Sequence, residues 1–192
     1  MTRLILASSS PYRRELLQRL KLNFECMSPD IDETQQPDEA PGDYVQRLAV
    51  EKAAKISQRH PDSLIIGSDQ CSVNDGLILG KPRDRADAMA QLNAASGKQL
   101  VFMTAVSLQH AASGWQTQWL DQFFVSFRQL SQEEIERYVD REEPYNCAGS
   151  FKSEQLGIAL CHSMQGDDPT ALVGLPLIKL AQALREFGFQ VP

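Results

Sequence analysis

A few side chains stand out in this 192-residue sequence by type and by place. The stretch LILASSSPYRREL puts Ser8, Ser9 and Ser10 ahead of Pro11, then Arg13 and Arg14 in the first turn of a predicted helix. Ser10 suits the N-cap and Pro11 the first helical position. Cations are disfavoured at the positive end of a helix dipole unless an anion sits with them, so the pair points to phosphate. Arg14 has no role in this reading. Lys52 falls four residues after Leu48 and four before Ile56, inside the apolar stripe of a second predicted helix, although a surface lysine snorkelling outward fits that spacing too. Asp69 follows LIIGS and is placed just past the carboxyl end of a strand, where α/β proteins put ligands. Gly67 and Ser68 leave room for close approach there, but an ordinary turn aspartate has the same signature. Lys81 in GKP, taken alone, is a surface loop lysine. As a set, with Asp32 and Glu33 added, these residues are the equipment of phosphoanhydride hydrolysis: cations neutralise phosphates, and carboxylates hold a metal or activate water. The phosphate-loop, dinucleotide-binding and nucleophile-elbow motifs are all missing.

The elements that must position this chemistry alternate between strand and helix. LILA, LNFECM and SLIIGSD read as strands, and Pro41 to Ser57 as a helix with Tyr44, Val45, Leu48, Ala49, Ala53 and Ile56 on one stripe. The acidic, proline-punctuated SPDIDETQQPDEAPGD between them is a long loop, of the kind that is usually functional or disordered. VNDGLIL carries a hairpin signal at Asp75-Gly76, and Asp84 to Ser96 is a capped helix. QLVFMTAVSLQ and WQTQWLDQFFVSFRQL form a long antiparallel pair. Ser131-x-x-Glu134 opens another helix, NCAGSFKSEQLGIALCHSM mixes a glycine-rich loop with a strand, and Pro176 to Phe187 is a final helix ended by Gly188. The class is α/β with a mixed sheet.

Composition narrows the partners. At 42% hydrophobic the chain can bury one sizeable core or two lobes around a cleft. A net charge of −6 argues against a nucleic-acid surface, which needs an extended basic face. Four scattered cysteines and three histidines make no zinc spacing, so free thiols in a reducing cytoplasm are expected. The apolar N-terminal run is too short for a signal peptide, and no run reaches membrane-spanning length.

LILASSSPYRRELL, DETQQPDEAPGDYVQRLAVEKA, IIGSDQ, GKP, AGSFKSEQLGIAL and DDPTALVGLPL resemble, in order and spacing, the Maf family of nucleoside triphosphate pyrophosphatases. The resemblance covers nearly the whole chain. It implies an α/β fold of the Maf/ITPase-like type, with a mixed central sheet flanked by helices, and residues 1–192 as a single domain of two lobes around a central cleft. It also implies a small-molecule nucleotide substrate and a divalent cation, magnesium or manganese, whose ligands stay unknown; a homodimer is left open. The family's general base falls on Asp69, and its phosphate-binding and catalytic-support positions on Ser8, Arg13, Glu33, Lys52 and Lys81. Its base-selecting positions fall on Tyr12, Gln70 and Glu154. The likeness is greatest to the branch that hydrolyses 7-methyl-GTP to the monophosphate and diphosphate. That branch typically has Trp at the position of Tyr12, and the thymidine/uridine branch has Arg. N7-methylation makes the guanine ring cationic, which favours an aromatic face, and guanine's pairing edge presents two N–H donors that a carboxylate such as Glu154 can accept. Two alternatives fit the same residues: a family member preferring dTTP or UTP, and a nucleotide-binding regulator of cell division, which would not need an ionisable base at Asp69.

Overall fold

The computed structural model describes residues 2–192. Strand β1 (Arg3–Ala7) runs parallel to β3 (Ser63–Asn74), from Arg3 opposite Ser63 to Ala7 opposite Gly67. Leu4 to Ala7 and Leu64 to Ile66 are all buried, as continuous apolar runs in a doubly covered sheet should be. β2 (Glu25–Cys26) adds to the far edge of β1 in parallel. LNFECM contributes only these two residues as strand, because its sole ladder partners are Ile5 and Leu6 and both of its residues are exposed.

On its other edge β3 pairs antiparallel with β5 (Gln99–His110), which pairs with β6 (Trp115–Phe127) and that in turn with β7 (Cys161–Gln165). The order across the sheet is β2-β1-β3-β5-β6-β7, with the short β4 (Leu77–Leu79) forming the hairpin expected at Asp75-Gly76 against the end of β3. LGIAL is a 3-10 turn rather than strand, and only Cys161 onward joins the sheet.

Helix α1 (Pro11–Gln18) starts as its sequence dictates, with Ser10 accepting from Arg13 N and Pro11 in the first turn. Helix α2 spans Pro41–Ser57. Helix α3 (Arg85–Ala95) is capped by Asp84. Helix α4 (Gln132–Glu142) has the reciprocal Ser131 and Glu134 capping box, and α5 (Leu177–Phe187) ends at Gly188 with φ 112°.

Alternation along the strands sorts the helices between two faces. Ile65, Cys71, Val73 and Ala105 meet α2 through Val45, Ala49, Ala53 and Ile56. The opposite face carries two separate clusters. Leu64, Ile66, Val106 and Leu108 pack under α1 and α5, while Leu100, Phe102, Phe123 and Val125 pack under α3 and α4. Between those clusters the ladder aligns Gln70, Thr104 and Asp121 side by side across three strands. No helix among the described residues is long and apolar enough to cross a membrane.

Candidate active site

The strand expected to end before Asp69 continues through it. β3 keeps β5 as a partner as far as Val73, so the chain stays extended and Asp69 sits in mid-strand. The opposite edge of β3 is divided: β1 occupies it up to Gly67 and β4 resumes at Ser72. Residues 68 to 71 therefore have no strand beside them on that edge. Asp69 and Gln70 point to opposite faces of this gap, and both line a cleft of about 590 Å³ that opens there.

On the α2 face, Lys52 is buried and its Nζ lies 2.5 Å from Asp69 Oδ1 and 2.8 Å from Glu33 Oε1. It does not snorkel: two carboxylates meet it inside the cleft. Gly67 makes this possible. A Cβ there would come within 2.1 Å of Ala49 O and 2.7 Å of Ala53 N, so the missing side chain lets α2 lie directly on β3. The room expected for a ligand at Gly67 is filled by this helix. No hydrogen bond reaches Asp69 Oδ2 among the described residues, and that oxygen remains for the cleft.

Helix α2 also ties down the acidic loop. Tyr44 donates its hydroxyl to Glu33 O at 3.0 Å, Arg47 pairs with Glu39 at 2.6 and 2.8 Å, and Arg47 also donates to Thr34 O at 3.1 Å. Glu33 thereby reaches Lys52 from an otherwise exposed segment. Asp32 does not join it: it lies outside the cleft and accepts from Thr34 N at 2.9 Å, a local turn contact.

At the start of α1, Ser8 is buried and accepts from Ser10 N at 3.1 Å. Arg13 is half-buried and donates from Nε to Gly174 O at 2.8 Å, leaving its other nitrogens for the cleft. Burial pulls the Arg13 guanidinium below its usual range, against the attraction of Asp69 and Glu33. Arg14 is exposed. Lys81 stands exposed at the mouth and makes no hydrogen bond or ion pair among the described residues.

Tyr12, Gln70 and Glu154 line the same cleft without hydrogen-bonding to one another. Tyr12 OH lies 3.8 Å from Cys147 Sγ, and burial first, then the Cys147 thiol, pushes its phenol up to about 12. Tyr44 is also pushed up to about 12, by burial and then by Asp69 and Glu33, so both phenols stay protonated at neutral pH. The nine positions marked by the family resemblance, from Ser8 to Glu154, thus line one cleft, and Asp32 alone of the carboxylates grouped with them does not. Sequence reasoning missed the structural use of Tyr44, whose eight-residue spacing from Lys52 marks one helix face. It also missed Cys147 and the carbonyl of Gly174, for which no local signal exists.

Seven charged residues line the cleft: Arg13, Lys52 and Lys81 against Asp30, Glu33, Asp69 and Glu154. This lining carries no positive surplus for a polyphosphate. Among the described residues no group of three or more His, Cys, Asp or Glu side chains is arranged to hold a metal ion. Lys52 fills the point on which Asp69 and Glu33 converge, but Glu33 Oε2, which no hydrogen bond reaches among the described residues, fits a small hard cation bound through one carboxylate plus substrate phosphates.

The model of the family described as Maf-like protein matches residues 3–187, and the chain belongs to that family. It is 54% identical over 189 residues to the 7-methyl-GTP pyrophosphatase of Alcanivorax borkumensis, covering 98% of this chain and 96% of that one. To the 7-methyl-GTP pyrophosphatase of Pseudomonas syringae pv. tomato it is 53% identical over 192 residues, the full length of both. Among solved structures, a HAM1 protein from Coxiella burnetii superposes with a TM-score of 0.54 at 13% identity, covering 97% of this chain and 100% of that one. That likeness concerns the fold alone.

Proposed function

We propose that this protein hydrolyses 7-methyl-GTP to 7-methyl-GMP and diphosphate, by attack of water on the α-phosphorus. The observation that carries the reading is Lys52 buried between Asp69 and Glu33 at the open stretch of β3, inside a cleft that also holds Arg13 and Tyr12. The two full-length relatives with that printed activity support the substrate. In this reading residues 1–192 act as one unit of two lobes, the α1/α5 cluster and the α3/α4 cluster, with the substrate between them.

Lys52 fixes Asp69 through Oδ1, so Oδ2 is free to take a proton from the attacking water. Arg13 and Lys81, which both line the cleft, meet phosphate oxygens, and Ser8 with the α1 N-terminus adds donors. A divalent cation, magnesium or manganese, held by Glu33 together with the phosphates, would neutralise charge that the lining leaves uncompensated. Tyr12 presents an aromatic face to the cationic methylated base, and Glu154 accepts from guanine's N–H edge. The protonated phenols of Tyr12 and Tyr44 are not competing bases near neutral pH.

The test is a panel of 7-methyl-GTP, GTP, UTP and dTTP. The kcat/KM for 7-methyl-GTP exceeds the others, and Asp69→Asn lowers kcat by roughly 10²–10⁴ while still binding triphosphate, since the amide keeps the size and loses the base. A preference for UTP or dTTP refutes the substrate, and near-wild-type turnover by the variant refutes the mechanism.

A further inference from the structure

The segment Asp168 to Gly174 lies over the polar row of the sheet, and its backbone carbonyls are taken by the cleft side chains. Gln70 Nε2 has three acceptors within reach of its two protons, Ala171 O at 2.8 Å, Leu172 O at 3.1 Å and Thr104 Oγ1 at 2.9 Å. Thr104 gives its one hydroxyl proton to Ala171 O at 2.9 Å, so it faces Gln70 only as an acceptor. Three acceptors around one end of a planar amide admit only the nitrogen there. The Gln70 oxygen is therefore the atom left for the cleft. Two residues further along, Gly174 O accepts from Arg13 Nε at 2.8 Å and from Ser68 Oγ at 3.1 Å. Gly174 has φ 115°, a conformation that favours glycine.

What holds this segment is a buried carboxylate. Asp168 is 3% exposed and accepts from Thr170 N at 2.8 Å, Thr170 Oγ1 at 2.6 Å and Ile178 N at 2.7 Å. Thr170 Oγ1 in turn accepts from Leu177 N at 2.8 Å. These contacts satisfy first-turn N–H groups of α5 that have no partner within the helix, and they rivet the loop to its start. The rigid end of α5 thus sets where the carbonyls of residues 171, 172 and 174 stand.

We propose that Asp168 and Thr170 are positioning residues for substrate selection, acting through the loop carbonyls on Gln70 and Arg13. They hold Gln70 with its oxygen outward, so that with Glu154 it shows two acceptors to the donor edge of guanine. They also hold Arg13 on the phosphates. This rests on the function proposed above. Asp69 and Lys52 sit on β3 and α2 and make no hydrogen bond to the segment, so substrate selection and chemistry separate at this point.

The experiment compares wild type with Thr170→Val, Thr170→Ser and Asp168→Asn. For Thr170→Val, KM for 7-methyl-GTP rises at least about fivefold and the preference for 7-methyl-GTP over UTP falls at least about tenfold, while kcat stays within about threefold. Asp168→Asn moves the same way, because its amide puts a donor against a donor, and Thr170→Ser restores the wild-type values. Independently, NMR should find the side-chain amide protons of Gln70 slow to exchange with solvent in wild type and at least about tenfold faster in Thr170→Val. Folded variants with KM and preference unmoved, or with kcat lowered at constant KM, overturn the proposal. So does rapid exchange of the Gln70 amide in wild type, a result that needs no folded variant. If wild type hydrolyses none of the nucleotides, the proposed function fails, and the exchange measurement still decides the positioning.

Discussion

A lysine buried among aliphatic side chains has to be matched by opposite charge, and Lys52 is matched twice, by Asp69 and Glu33. Its place in the stripe of α2 was visible in the sequence, since a charged residue stood where a hydrophobe belonged. Its partners were not, because both lie far off along the chain and only the docking of α2 on β3 brings them to it. Spacing alone suggests that Lys52→Met should be well tolerated in such a stripe. The geometry says otherwise: the variant leaves Asp69 buried without its cation. Thermal unfolding should show a loss of about 1–3 kcal/mol, or roughly 2–10 °C in Tm. Adding Asp69→Asn should recover most of it, because the uncompensated charge goes too. A single variant as stable as wild type would mean that the pair is not formed.

Most elements lie within a residue or two of where capping and periodicity place them, α2 and the Ser131 to Glu134 box most closely. Asp69 shows why the strands were harder to bound. A strand's end depends on its partners, and Gly-Ser-Asp reads as a terminator only until β5 is seen alongside it. Gly67 similarly reads as space for a ligand, yet it is the contact point of two elements. Gly67→Ala should therefore push α2 off β3, destabilising the fold by about 3 kcal/mol or more in urea unfolding and lowering kcat as Lys52 leaves Asp69. Unchanged stability would contradict that contact.

The loop that carries Glu33 is held by a second ionic anchor. Arg47 draws the Glu39 carboxyl from its ordinary 4.5 down to about 2, chiefly by direct hydrogen bonding. A carboxyl with a depressed folded-state value stabilises above its unfolded value and loses that contribution on acidification. The anchor is thus intact above about pH 4.5 and released as the pH falls towards 2. The amide of Gln36, which donates to Glu39 at 3.0 Å, should lose exchange protection over that window, and Glu39→Gln should remove the pH dependence. Protection that persists unchanged to pH 2 would rule out the anchor.

For the molecule as a whole, the site arises from how strands share the edges of β3. β1 and β4 occupy one edge and stop short of each other, and two core clusters on one face part around Gln70, Thr104 and Asp121. That arrangement was not legible in the sequence beyond its α/β alternation, because edge sharing is a property of long-range pairing. The chemistry was more legible, since a charge out of place in a stripe or at a helix start is a local anomaly with few explanations. In the proposed reaction water, aided by Asp69, attacks the α-phosphorus of 7-methyl-GTP. Turnover in ¹⁸O-labelled water tests it directly: the label should appear in 7-methyl-GMP, with unlabelled diphosphate as the other product. Label in the diphosphate, or release of single phosphates, would contradict it.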